Sequence, residues 1–261
     1  MQGKLKVEDI LIRCSSLGNV ITKSGNFTDT AKKECIKIFA SQGYGRYDEI
    51  NSKYLKKGLT VEEDSITLYS VVTKEYFIKN QQRLSDKFIT GEWDLHDSVK
   101  KIKHITDIKS SYNLPSFLAN KIADVKWTNY WQGVGYMRLT GAERYTVANC
   151  LVNNTAEAIN KEKFYKSSEQ GMLDKHGNES PKYIEICKKI ERNNIFDIPE
   201  FNKQNPYFDW HNTEFNFDIP KELRVIKFDF DRNEDDIKQI ENEVMKVRKF
   251  LFETFKEHFK S

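Results

Sequence analysis

Two carboxylates and a lysine stand at intervals that could serve one reaction. Asp107 and Lys109 are two residues apart in KHITDIKSS, whose alternation and β-branched content predict a strand, so both side chains leave it on the same face. The preceding stretch, KFITGEWDL, predicts the partner strand of a hairpin and ends near Asp94. Glu62 lies upstream, four residues after Gly58, at the head of the acidic run Glu62-Glu63-Asp64 on an expected helix. Packed on the hairpin, that helix would let Glu62 reach in toward the two aspartates. Oxygen ligands of this kind suit Mg²⁺, with Mn²⁺ able to substitute, because such ions keep several waters and complete their shell with substrate phosphate. A lysine beside the ion can orient or deprotonate the attacking water and offset charge that develops at phosphorus. Each piece alone has a plainer explanation. A D-x-K on a strand is usually a solvent-facing pair worth under about 1 kcal/mol, and an acidic run on a helix is usually a solvated face. Their order and spacing together favour chemistry.

Gln132 and Tyr136 are four apart in WTNYWQGVGYMRLT and share one face of a predicted helix. Facing the acidic strands, an amide and a phenol could hydrogen-bond water, phosphate or a carboxylate; otherwise this is an ordinary buried helix with a polar patch. Near the N-terminus, Arg13 and Ser15 offer a guanidinium and a hydroxyl of the kind that grips a terminal phosphate. A helix cap beside a surface arginine explains them equally well. Lys100, Lys101 and Lys103, and Lys161 with Lys163, are expected to contact a DNA backbone or to be solvated turns. The histidines have no metal-ligand spacing, and Cys14, Cys35, Cys150 and Cys187 are too far apart for a zinc or iron–sulfur motif.

These residues need a frame to hold them. The chain has 261 residues, of which 38% are hydrophobic and 13% aromatic, enough to bury a core despite 31% charged residues. With 42 basic and 39 acidic residues the net charge of +3 neither requires nor excludes nucleic acid. No apolar stretch suggests a membrane span or a signal peptide, so a cytoplasmic protein with reduced thiols is expected. The pattern predicts a helix from Thr28 or Asp29 to Gly43, and one long helix over 51–79 with Tyr54 on its apolar face and Gly58 as an interior weakness. Beyond the hairpin it predicts helices over 115–125 and 127–140 and a strand in ERYTVANCLVN. Further helices are expected over 155–168 and 181–193, then a strand in ELRVIKFDFDR and a final amphipathic helix capped by Asn233. Residues 194–220 give no clear assignment. The order implies an α/β fold, a central mixed sheet flanked by helices.

The combination resembles the PD-(D/E)xK nuclease superfamily and, within it, the lambda exonuclease/YqaJ branch of phage recombination nucleases. GLTVEEDSITLY is similar to that family's helix with a glutamate after a glycine. TGEWDL with DIKSSY resembles its paired Asp and (Asp/Glu)-x-Lys strands, and WQGVGYMRLTG contains the Q-x-x-x-Y of RecB-like members. IRCSSLGNVITK is similar to the segment that in the family helps hold a DNA end. The resemblance covers about residues 11–152, within an expected single nuclease domain over 1–261 whose C-terminal strand and helix occupy 222–260. It implies a restriction-endonuclease-like core and Mg²⁺-dependent DNA hydrolysis. Asp94, Asp107, the main-chain carbonyl of Ile108 and Glu62 would hold the metal, with Lys109, Glu62, Gln132 and Tyr136 catalytic and Arg13 and Ser15 on DNA. It also implies exonucleolytic resection of duplex ends for recombination or repair, in a bacterial host cytoplasm if phage-encoded, alongside a single-strand annealing protein or in a homo-oligomer. A structure-specific endonuclease, or an inactive DNA-binding or phage structural protein, would share the fold. The sequence departs from the family at Trp93, where a proline is usual, and at Glu92, where a small residue is common and where a carboxylate could disturb or add to coordination. Cysteines for an iron–sulfur cluster are missing near the C-terminus.

Overall fold

The computed structural model describes residues 5–22, 25, 27–47 and 53–259, with backbone alone for 53–56. The expected helix start at 51–52 and the side chain of Tyr54 fall outside these limits. Strand β1 (Ile12–Arg13) runs through a single 3-10 turn, Cys14–Ser16, into the short helix α1 (Leu17–Val20). Ser16 occupies the cap position of α1 without a side-chain bond to the helix. Helix α2 (Asp29–Tyr44) begins where the Thr28 side chain accepts from the Ala31 amide, and stops at Gly45 in the left-handed region, where glycine carries no Cβ penalty.

The long helix expected over 51–79 is three elements. Helix α3 (Lys53–Thr60) and helix α4 (Glu62–Thr73) are separated at Val61 (φ −111°, ψ 18°), and the chain then turns into the edge strand β2 (Ile78–Lys79). Val61 is fully buried with Leu68, Leu95 and Ile108, and the break lets both α3 and α4 touch the central strand. Thr60 and Val61, both β-branched, and Gly58 are weak helix formers at that point. A Cβ at Gly58 would meet open space, so close packing is not the reason for that glycine.

After β3 (Leu84–Ser85) come β4 (Ile89–Gly91), β5 (Leu95–His96) and β6 (His104–Ser110). The stretch expected as one strand over 87–95 is therefore divided between two sheets. Strand β4 lies between β1 and β3 in a three-stranded sheet, parallel to β1 and antiparallel to β3, while β5 pairs antiparallel with β6 and keeps the expected hairpin. Helices α5 (Leu114–Ala119) and α6 (Trp127–Thr140) lead to β7 (Arg144–Cys150). Next come α7 (Ala156–Ser167), α8 (Pro181–Asn194), α9 (Ile198–Gln204), β8 (Val225–Asp231) and α10 (Glu234–Thr254). The unassigned region thus holds one short helix capped by Asp197, followed by irregular chain around an aromatic group of Phe201, Phe208, Trp210 and Phe215.

The larger sheet has the order β2-β5-β6-β7-β8, with only β6 and β7 parallel. Its two faces bury different partners. Ile105, Tyr145 and Val147 pack against Trp131, Val134, Tyr136 and Met137 of α6 and Ile240 and Val244 of α10. Leu95, Ile108, Ala148 and Cys150 pack against Leu68 and Tyr69 of α4. This is the mixed sheet flanked by helices that the sequence implies.

Candidate active site

Alternation along β6 decides which residues can meet. Ile105 belongs to the α6 face and Ile108 to the α4 face, which places Asp107 and Lys109 toward α6. Lys109 Nζ lies 2.5 Å from Asp107 Oδ2, and Asp107 is 1% exposed. Asp94 immediately precedes β5, opposite Asp107, and its Oδ2 accepts a hydrogen bond from the Ile108 amide at 2.6 Å. Burial and then repulsion from Asp107 push the Asp94 carboxyl up to about 7, while Lys109 pulls it down. Burial works against the Lys109 ammonium, but the charges of Asp107 and Asp94 outweigh it and hold its pKa above the ordinary value.

Helix α6 completes this face because Gly133 lets it approach closely. A Cβ at Gly133 would stand 2.0 Å from the Tyr145 ring on β7, so the helix lies directly on the sheet there. At Gly135 the close neighbours are instead Leu17 and Cys14 of the N-terminal segment. Gln132 is thereby brought to Asp107: its Nε2 donates to Asp107 Oδ1 at 3.3 Å and to the Tyr136 hydroxyl at 2.7 Å. Tyr136 is buried, and burial followed by the Asp107 charge holds its phenol well above the usual range. Tyr145, whose hydroxyl is also raised by burial and then by Asp107, sits beneath them. Sequence reasoning did not single it out, and its strand offers no local signal beyond β propensity.

Glu62 stands apart. Helix α4 packs on the opposite face of the sheet from Asp107 and Lys109, and Glu62 is its first residue. Glu62 Oε1 lies 3.1 Å from Lys79 Nζ on β2, and Glu63 contacts the same ammonium. Its charge still reaches Asp94, whose pKa it helps to raise. Among the described residues no three carboxylate, histidine or cysteine side chains form a ready metal cage. The chain therefore brings together Asp94, Asp107, Lys109, Gln132 and Tyr136 and leaves Glu62 on a lysine. Ser65, one turn into α4, meets Ser110 of β6 hydroxyl to hydroxyl at 2.8 Å and fixes how that helix end lies along the strand.

The remaining expectations divide. Glu92 is exposed and pairs with Arg83 at 3.0 Å. Trp93 is buried against Tyr136 and donates to His96 Nδ1. Arg13 and Ser15 are exposed and, with Ser16, Lys37 and Arg46, line a cleft of about 410 Å³ between the N-terminal turn and α2. Cys14, between Arg13 and Ser15 in the chain, is buried, its Sγ packed where a Cβ on Gly91 would come within 2.6 Å. Lys100, Lys101, Lys103 and Lys161 are exposed. Lys163 is neither a solvated turn nor a DNA contact: it is buried, with Nζ 2.8 Å from Glu191. All four cysteines are free and buried.

The donor set fits a hard divalent cation. Asp107 Oδ2 meets the Lys109 ammonium but accepts no well-aligned hydrogen bond among the described residues, and Asp94 supplies a second buried carboxylate.

No protein-family model and no curated protein matches this sequence. Solved structures do. A phage-related exonuclease from Haemophilus somnus 129PT aligns with a TM-score of 0.64 at 22% identity, covering 95% of this chain and 96% of its own. The alkaline exonuclease LHK-Exo from Laribacter hongkongensis aligns at 0.58 and 11% identity over 96% of this chain and 93% of its own. Its complex with dAMP aligns at 0.56 and 12% over 98% and 99%. The chain has the fold of these exonucleases along nearly its whole length.

Proposed function

We propose that this protein is a divalent-metal-dependent deoxyribonuclease, an exonuclease that resects one strand from duplex DNA ends. The observation that carries the reading is the buried Asp94–Asp107 pair with Lys109 on one oxygen of Asp107 and the Gln132 amide on the other. The fold shared with phage-related and alkaline exonucleases supports it, as does the binding of dAMP, a deoxynucleoside monophosphate, by LHK-Exo. Asp94 and Asp107 would hold Mg²⁺, or Mn²⁺ in its place, with the Ile108 carbonyl and Glu62 as the further ligands the family resemblance implies. The ion supplies Lewis-acid polarisation of the scissile phosphate and a more acidic water. Lys109 orients the attacking water and offsets charge on the phosphoryl oxygens. Gln132 fixes the Asp107 carboxylate in one orientation, and Tyr136 fixes the amide. Arg13 and Ser15 would hold the 5′-phosphate of an end in the cleft beside α2. A role in phage recombination, an annealing-protein partner and a homo-oligomer rest on the resemblance alone.

The test compares linear with covalently closed circular duplex under excess Mg²⁺. Loss of linear DNA from its ends with the circle intact is the expected result. A cut circle would identify an endonuclease on this fold, and no cutting of either would identify a binding protein.

A further inference from the structure

Strand β2 is tied to the strand that carries Asp94. Lys79 lies opposite Leu95, and the next amide, Asn80, donates to the Asp94 carbonyl at 2.8 Å. From this edge the Lys79 ammonium reaches the N-terminus of α4, 3.1 Å from Glu62 and in contact with Glu63. The site therefore has two internal cations, each on a different carboxylate: Lys109 on Asp107 and Lys79 on Glu62. Only the second pair is open to water on both sides, with Lys79 44% and Glu62 32% exposed. Exposed pairs are weak and exchange readily. Glu63 also leaves the ammonium a partner when Glu62 departs, so the exchange does not strand a charge.

We infer that Lys79 is a positioning residue that competes with the divalent ion for Glu62, so that Glu62 joins Asp94 and Asp107 only by leaving its lysine. The inference rests on the metal-site reading above. It explains why the one carboxylate delivered from the far side of the sheet is not among the clustered ones. It also makes ion affinity depend on a residue that touches neither aspartate side chain.

The experiment is isothermal titration of Mn²⁺ into the full chain without DNA, for wild type, Lys79→Gln, Lys79→Met, Lys79→Arg, Glu62→Gln and the double variant Lys79→Gln/Glu62→Gln. Removing the competitor should tighten Mn²⁺ roughly two- to fivefold in both Lys79→Gln and Lys79→Met, the range an exposed ion pair supplies. Lys79→Arg should bind as wild type. In the Glu62→Gln background the Lys79 substitution should change nothing. Unchanged or weaker binding in Lys79→Gln overturns the inference. The same gain in the Glu62→Gln background also overturns it, because the effect would then be a general loss of positive charge. Wild-type affinity in Glu62→Gln removes Glu62 as a ligand and the inference with it, while the Asp94–Asp107 reading stands. Wild-type affinity in an Asp107→Ala control would defeat the metal site itself, and the inference that depends on it.

Discussion

Asp94 carries the pH behaviour of the site. Its carboxyl is held near 7 in the fold against an ordinary value of 3.8. Below about pH 4 both folded and unfolded chains keep the proton and the group has no effect. Between about 4 and 7 the unfolded chain releases it while the folded chain retains it, so stability falls as pH rises through that window. In EDTA the melting temperature should therefore decline from pH 4.5 to 7.5 more steeply in wild type than in Asp94→Asn; equal slopes would refute the assignment. A cation on Asp94 must displace that proton, so Mn²⁺ affinity should rise with pH across the same range. Gln132 donates to Asp107; if Asp107 holds the ion as proposed, Gln132→Ala should lower single-turnover cleavage about 10- to 100-fold, as removal of a partner that orients a metal ligand does. Tyr136→Phe, which keeps the ring and loses the hydroxyl, should cost less; full activity in both variants would return α6 to a purely structural role. At this scale the sequence was readable where a local period applies: two residues along a strand put Asp107 with Lys109, and four along a helix put Gln132 with Tyr136. Lys79 and Tyr145 were not readable, because their meeting with the site depends on strand pairing across the sheet.

Among the elements, α6 and α3 place opposite demands on their glycines. Helix α6 needs glycine at the point of contact. Gly133→Ala would drive a methyl into the Tyr145 ring. We expect a stability loss of about 1–3 kcal/mol from overpacking, together with lower turnover as Gln132 is lifted from Asp107. Gly58→Ala is the contrasting change, because its Cβ meets open space. It should leave stability equal or raise it by up to about 1 kcal/mol. Chemical denaturation of the two variants checks both, and equal effects would contradict the account of α6. The helix over 127–140 was legible from Trp127, Trp131 and Val134 on one face and from Gly141, the left-handed residue that follows it, and the C-terminal helix from its Asn233 cap and apolar stripe. The break at Val61 was legible only as a weak point, from Gly58, Thr60 and Val61; that the chain turns there depends on Val61 packing with Leu68, Leu95 and Ile108, which is a tertiary contact. The transfer of 89–91 to a second sheet was not legible, because β4 finds its partners in β1 and β3 and not in the hairpin. The side on which α4 packs, and with it the position of Glu62, is likewise a tertiary choice that local periodicity does not encode.

At the scale of the whole molecule, Cys14, next to Arg13 and Ser15 in the chain, packs with the Tyr136 ring around Gly91. If Arg13 and Ser15 hold the terminal phosphate, the Arg13→Ala/Ser15→Ala variant should lose preference for 5′-phosphorylated over 5′-hydroxyl duplex while still cutting. An unchanged preference would take both residues out of the site. The central claim is that hydrolysis occurs at Asp94, Asp107 and Lys109, and it is tested most directly by single-turnover digestion of end-labelled linear duplex with saturating Mg²⁺. Asp107→Ala and Lys109→Ala, shown to be folded by circular dichroism, would be compared with wild type, and Mn²⁺ binding would be measured on the same samples. The account predicts that both variants lose cleavage, Asp107→Ala with its metal affinity and Lys109→Ala with affinity retained, because one residue holds the ion and the other places the water. Folded variants that digest DNA at the wild-type rate would contradict it.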